Sequence, residues 1–503
     1  MSRINTNVTS LIGQRILSHQ NRDLTKTMER LSTGLAINRG GDDPAGLIVS
    51  ERLRSEKTAL SAAIGNAERA DQIVNIAEGG LQEISTLLLE MQGLITATSN
   101  DAGMSAAEKD ANQQQVDAIL QTIDRIAATT TFQGTKLLNG SFDFTVSAQA
   151  SAVVSYNVNA AKLGSGNVDV QAIVTQSAQH AGLFVSAAST LDFGGDSDAR
   201  LVLEIAGALG TREFSFASGT TMSDVAKSIN GFKTVTGVSA VASGQGLVLK
   251  STGFGSDQFV SVDVIDDGGI TGNIFQLNST NENASSGANQ VALASVLEPI
   301  RDSGQDVGVI INGVAARGTG RSASVNTDAL DLKVELTTSG AQTLSSRNLF
   351  TITGGGAKFN LGPTVDATNE VRLGIKDISA RKLGGVDDGD DVRRYLDELG
   401  SGKSLNLVDG DLTTAQKAVN AAITEVSALR GRLGSFQKNV VGSTINGLNI
   451  ALENISAAES AIRDTDFAAE TAKLTRSQIL VNAATSVLGI SNAQPQAVLG
   501  LLG

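Results

Sequence analysis

The sequence contains no cysteine and no tryptophan among its 503 residues. Without thiols there is no disulfide, no thiolate metal centre and no cysteine nucleophile. Aromatic residues make up only 3%. Positive charge is in deficit, with 39 Lys and Arg against 52 Asp and Glu, a net charge of −13 and a pI near 4.8. Such a chain repels phosphate backbones, which argues against nucleic acid as a partner. No apolar run approaches the length that spans a bilayer, so no membrane insertion is expected. The opening "MSRINTNVTS" lacks a basic-then-apolar signal region. Taken alone, that reads as cytoplasmic, without a cleaved signal peptide.

What is present suffices for folding. Hydrophobic content is 41% and charged content 18%, and the length calls for two to four domains. From Pro44 to about Asn100 no proline interrupts the chain. Ile73, Ala77, Gly80, Ile84, Leu87, Met91 and Leu94 follow a 3,4 spacing, the pattern of a coiled-coil seam. A helix this long runs roughly 85 Å at 1.5 Å per residue, more than one globular domain covers. Partner helices are therefore required. Val116, Ile119, Ile123 and Ile126 form a second seam. Val419, Ala422, Val426, Leu429, Leu433, Phe436 and Val440 form a third, which slips by one residue to Val441, Ile445, Leu448, Leu452 and Ile455.

Each terminus carries a smaller stripe: Leu17, Leu24 and Leu31 on a helix over about 5–32, and Leu474, Ile479, Ala483 and Val487 on one over about 464–488. Both stripes are narrow and distant in sequence from a core, so each helix needs a partner outside itself. Leu17, Leu24, Leu31, Leu474, Ile479 and Val487 are the expected assembly interface.

Between about 141 and 402 the texture turns to Gly, Ser, Thr and Asn with alternating apolar positions. "LVLEIAG" at 201–207 and "GLVLKST" at 246–252 read as half-buried strands, and "VDVIDDGG" at 262–269 as a strand and turn. "TTMSDVAKSINGF" reads as a short helix capped by Thr221, with Met222, Val225 and Ile229 on one face. The fold class expected is α+β: a long helical coiled-coil bundle formed by the N- and C-terminal regions, with an inserted β-rich outer module.

The stretch "LSTGLAINRGGDDPAGL" at 31–47 decides between chemistry and mechanics. A phosphate cradle needs a strand before its glycines, and here a helix precedes them, with Asp42 and Asp43 where the anion would sit. Paired catalytic carboxylates lack a nearby nucleophile or oxyanion donor. A mechanical joint suits every residue. Gly34 stops the first helix, Gly40 and Gly41 permit a sharp change of direction, Asp43 caps the next helix, and Pro44 takes its first position. Asp42 and Asp43 complement the helix dipole.

That joint, continued as "LSTGLAINRGGDDPAGLIVSERLRS", resembles the amino-terminal signature of bacterial flagellin. "AIRDTDFAAETAKLTRSQILVNAATSVLGISNAQPQAVLGLLG" at 461–503 is similar to the carboxyl-terminal signature, and "INTNV" at 4–8 fits as well. "REFSFASGTTMSDVAKSINGF" and "VGVIINGVAARGTG" resemble the flagellin hook IN motif. The resemblance implies a structural subunit of the flagellar filament, not an enzyme. Its terminal coiled coil would comprise 1–42 and 464–503, its helical bundle with β-hairpins 43–164 and 352–463, and its variable outer domain 165–351. The chain would leave the cell through the flagellar type III apparatus, with an export chaperone, and act outside it. It would polymerise with itself at the distal tip, meeting the flagellar cap and hook–filament junction proteins. A junction protein with flagellin ends, or an adhesin displayed on the filament, are the alternatives. In many flagellins the long N-terminal helix is also read by the flagellin-sensing Toll-like receptor through an arginine. The aligned position holds Glu90, with Gln92 and Gly93 beside it, so weak recognition is expected.

No cofactor or metal is expected. His19 and His180 stand far apart in sequence, and the H-E-x-x-H of filament-borne metalloproteases is absent. "VDDGDD" at 386–391 lacks the spacing of an EF-hand and reads as an acidic linker. "NST" at 278–280 matches a sugar-acceptor pattern.

Overall fold

The computed structural model describes residues 6–100, 103–163, 166–187, 189–193, 198–244, 246–278, 281–327, 329–387 and 392–499. The acidic run at 386–391 and the "NST" at 278–280 lie largely outside the described residues. The chain divides into two compact units, one drawn from Met1–Asp71, Asn360–Glu370 and Phe436–Gly503, the other from Gln72–Phe359 and Val371–Ser435. The longer helices are α1 (Val8–Thr33), α2 (Pro44–Thr98), α3 (Ala106–Thr129), α4 (Met222–Asn230), α5 (Leu412–Ser435), α6 (Ser443–Arg463) and α7 (Phe467–Leu499).

In the first unit, the early part of α2 runs antiparallel to α6. Leu60, Ala63 and Leu448 are buried together, with Leu452 and Ile455 half-buried against them. Lys57 pairs with Glu459 at 3.3 Å and Arg463 with Glu51 at 3.1 Å.

In the second unit, the later part of α2 joins α3 and α5. Gln92 Nε2 donates to Asn420 Oδ1 at 2.8 Å, and Asn112 Nδ2 donates to Thr98 Oγ1 at 3.0 Å. The seam on α2 is Val74, Ala77, Leu81, Ile84, Leu88, Met91 and Ile95, all fully buried. This corrects the sequence reading by one position. Ala77, Ile84 and Met91 are in the seam, whereas Ile73, Gly80, Leu87 and Leu94 are half-buried flanks. Both registers keep a 3,4 spacing, but the observed one buries Leu81 instead of Gly80. It therefore removes more apolar surface from water. Gly80 instead admits the chain after α3: a Cβ there would stand 2.8 Å from the Leu138 side chain. On α5, Val419, Ala422, Val426, Leu429 and Leu433 are buried. A Ser105–Glu108 capping box starts α3, which buries Val116, Ile119 and Ile123 and half-buries Ile126.

Between α5 and α6 the helix does not break. It widens into a π-helix over Phe436–Gly442, in which Phe436 and Val441 are buried. The one-residue slip in the seam is thus taken up as a wider turn, because five residues separate the two buried positions where an α-helix would use four. Deleting Lys438, which is exposed, should return the segment to α-helix with both sides of the seam still facing inward. Thermal unfolding of this variant, followed by circular dichroism, is expected within about 1 kcal/mol of the parent. Deleting exposed Ser427 rotates buried Val419, Ala422 and Val426 by about 100° and should cost more than about 3 kcal/mol. Equal losses from the two deletions would contradict this account.

The second unit also holds two β-cores, both antiparallel. The first pairs a sheet ordered Val314–Ala315, Gly308–Ile311, Val168–Gln176, Ser346–Gly355 and Phe144–Ser147 with one ordered Arg317–Thr319, Ser322–Asn326, Leu330–Leu336 and Val153–Ala161. Val170, Leu332, Val334, Leu349 and Phe350 are buried inside. This core begins at Phe144, so the boundaries expected at 164/165 and 351/352 fall within it, not at its edge. The second core is nested in the sequence of the first. One sheet runs Asn281–Ala292, Asn273–Asn278, His180–Ser186, Gly246–Phe254 and Val238–Ser243, the other Ile300–Ser303, Phe259–Asp266, Arg200–Gly207 and Gly210–Ala217. Thr221 caps α4 by accepting from Asp224 N at 3.2 Å, and Met222, Val225 and Ile229 are buried in this core.

Candidate assembly interface

Within the first unit, α1 and α7 pair antiparallel. Asn7 Nδ2 donates to Ser491 O at 2.8 Å and Ser10 Oγ to Asn492 Oδ1 at 2.6 Å. At the other end Arg30 lies 3.9 Å from buried Glu470. The residues turned inward follow heptads: Ser10, Gly13, Leu17, Leu24, Thr27 and Leu31 on α1, and Glu470, Leu474, Ser477, Val481, Ala484 and Leu488 on α7. Small residues are what make the seam close. A Cβ at Gly13 would stand 3.2 Å from Leu488 Cδ1.

Leu17, Leu24, Leu31 and Leu474 thus sit on the seam inside the chain, half-buried. Ile479 and Val487 do not. They are 62% and 55% exposed: Ile479, two positions beyond the seam residue Ser477, lies about 200° around the helix, and Val487, one before the seam residue Leu488, lies about 100° to its side. Ile490, also exposed, continues this outer stripe. Val8, Leu11, Ile12 and Ile16 are likewise exposed on α1. Pairing the ends therefore leaves large apolar side chains on the far side of each helix. Ile48, Val49 and Ile450 add to them elsewhere in the same unit. A run of exposed apolar side chains along paired helices marks an interaction surface.

The joints that align these helices are bound to each other. Leu35 and Asp464 form an antiparallel bridge, Ala36 N donates to Arg463 O at 2.7 Å, and Thr465 N donates to Gly34 O at 2.9 Å. Sequence reasoning missed this clamp, because nothing local links positions so far apart. Gly34 ends α1 at φ +74°, the left-handed geometry glycine favours. Gly40 and Gly41 are exposed turn residues, and neither takes positive φ, so the turn does not use their freedom there. Asp43 Oδ1 accepts from Gly46 N at 3.0 Å, and Pro44 is the first residue of α2. Asp42 has another task. It accepts from Asn38 N and Arg39 N and pairs with Lys26 at 2.8 Å. The Lys26 contact, aided by those backbone bonds, lowers its pKa to about 2. Asp466 caps α7 by accepting from Ala468 N and Ala469 N.

In the second unit Glu90 and Gly93 are exposed, whereas Gln92 is engaged with Asn420. His19 is exposed beside Asp23, and His180 stacks on Phe254 at 3.7 Å between ring centroids. Among the described residues no three His, Asp or Glu side chains are grouped to hold a metal, and no helix is long and apolar enough to cross a membrane.

The N-terminal helical region of bacterial flagellin matches residues 4–143, the C-terminal helical region residues 416–502, and the flagellin hook IN motif residues 200–253. The B-type flagellin of Pseudomonas aeruginosa is 29% identical over 525 residues, covering 99% of each chain. The chain belongs to the bacterial flagellin family. Flagellin B of Vibrio cholerae is 27% identical over 503 residues, again covering 99% of each chain. The solved FliC of Burkholderia pseudomallei shares 17% identity over 73% of this chain and 99% of that one, with a TM-score of 0.23. As a flagellin the chain is a structural subunit of the flagellar filament, and its family is one of structural proteins, not enzymes. The IN motif contains the first of the two stretches singled out in the sequence. The second, 307–320, lies outside the matched range and forms hairpin strands of the first β-core.

Proposed function

We infer that this flagellin is exported through the flagellar type III apparatus with the help of a chaperone, acts outside the cell, and adds to the distal end of the filament under the cap protein, beyond the hook–filament junction. The observation that supports this most is the outer apolar stripe on the paired α1 and α7. A surface of Val8, Ile12, Ile16, Ile479, Val487 and Ile490 is costly in water and is covered when identical subunits stack. Contacts that do not close on themselves then propagate a helical fibre. The test is electron microscopy and sedimentation of the purified chain after adding sheared filament seeds. Long filaments are expected. Short caps or rings would point to a junction protein.

Weak activation of the flagellin-sensing Toll-like receptor belongs to the same reading. Exposed Glu90 offers a carboxylate where a guanidinium fork is needed, and Gly93 contributes no side chain. A receptor reporter assay on purified monomer should show a response at least roughly tenfold below that of a strongly stimulating flagellin, a loss of about 1.4 kcal/mol. Glu90→Arg should raise it. A full response from the parent chain would place the contact elsewhere.

A further inference from the structure

The chain passes between the two β-cores twice, and the two crossings are bonded: Gln179 N donates to Gln305 O at 2.9 Å and Gln305 N to Gln179 O at 3.0 Å. Beside this neck is a cleft of about 490 Å³ whose lining includes Gln176, His180, Ser256, Asp302, Gln305 and Asp306. That volume lies within the range of small-molecule sites, yet the lining is mostly polar. Among the described residues no lysine or arginine lines the cleft, and two carboxylates do, so an anion is disfavoured. A bare metal ion is disfavoured as well, because backbone and hydroxyl donors already hold both oxygens of Asp306, which leaves Asp302 as the one carboxylate with hydrogen-bonding capacity to spare. Asp306 accepts from Ser256 N, Ser256 Oγ and Gly320 N, and Asp302 accepts from Gly182 N.

The polar groups are also held in place before any ligand arrives. Gln179, only 4% exposed, donates from Nε2 to Ser177 Oγ at 2.7 Å, and Gln305 Nε2 donates to Ser177 O at 2.8 Å. His180 is fixed by its stack on Phe254 and by a 3.1 Å contact from Nδ1 to Gly253 O. Glycine lets the walls close: a Cβ at Gly304 would stand 2.5 Å from Gly255 O. A preorganised pocket of amides and carboxylates, without lysine or arginine and with Leu277, Val307 and Ala316 as its apolar wall, suits a ligand that is uncharged, dense in hydroxyl groups and apolar on one face. Preorganisation of this kind lowers the entropy lost on binding.

We propose that this cleft binds a neutral sugar. The experiment titrates the full-length monomer with galactose, mannose, N-acetylglucosamine and glucuronate, followed by saturation-transfer NMR. At least one neutral sugar should bind saturably with Kd on the order of 1 mM. Gln176→Trp places a large side chain at an exposed edge of the cleft and should abolish binding. Asp302→Asn should weaken it about tenfold through loss of a charge-assisted hydrogen bond. Melting curves establish that both variants fold. No saturable binding by any neutral sugar, binding that survives Gln176→Trp, or glucuronate binding as well as the neutral sugars would each overturn the proposal.

Discussion

A chain cut before Asp464 should remain monomeric at every concentration, with or without seeds, while both β-cores stay folded. The cut removes α7 and with it Leu474, Val481, Ala484 and Leu488, the inner surface against which Leu17, Leu24 and Leu31 rest. What remains of α1 is a 26-residue helix without tertiary cover, and most helical stability in proteins comes from such cover. Helix content should therefore fall by more than the deleted segment carried, because α1 melts as well. The β-cores have separate buried clusters in the other compact unit and should keep their amide protection. Sedimentation velocity, circular dichroism and hydrogen exchange read the three consequences separately. Seeded filaments from the truncated chain would show that the terminal pair does not drive assembly.

The double substitution Ile479→Asp with Val487→Asp should remove polymerisation without that cost to the monomer. Ile479 lies opposite the seam and Val487 on its flank, and both are largely exposed, so replacing them in the free chain breaks no buried contact. In a filament that covers them, each loses the roughly 1.5–3 kcal/mol of apolar burial and must bury a carboxylate instead. The expected effect is a rise of roughly a thousandfold in the concentration needed for assembly, equivalent to about 4 kcal/mol. The melting temperature of the monomer should stay unchanged. Normal polymerisation would mean that this stripe faces solvent in the filament, and a lower melting temperature would mean that it packs within the chain.

The two ends and the α+β class were legible because their signals are periodic or local. Heptads announce long helices, and the slip at Val440 coincides with the π-helix over Phe436–Gly442. The register on α2 was not settled by spacing, since "TLLLE" at 86–90 offers leucine to two seams. Only the neighbours choose between them, and the choice turns on Gly80 against Leu81. The middle of the chain yielded its strands and the capped helix α4, yet not its division into two cores. Strands adjacent in one sheet, such as Val168–Gln176 and Ser346–Gly355, are separated in sequence by the whole second core, and no local pattern records that. The clamp between Leu35 and Asp464 was hidden for the same reason. The outward position of Ile479 and Val487 became clear only once α1 fixed which face of α7 turns inward.

The pairing of α1 with α7 joins residues 484 positions apart, as in the Asn7–Ser491 hydrogen bond. Closing a flexible loop of that length costs about 5 kcal/mol of chain entropy. A seam of serines, glycine, alanine and half-covered leucines offers little early reward against that cost. The penalty falls once the intervening segments have contracted into their own cores. The terminal helices are thus the last part of the molecule to find their order and the first to lose it, so the surface that would bind the next subunit exists only in a chain whose interior is already complete.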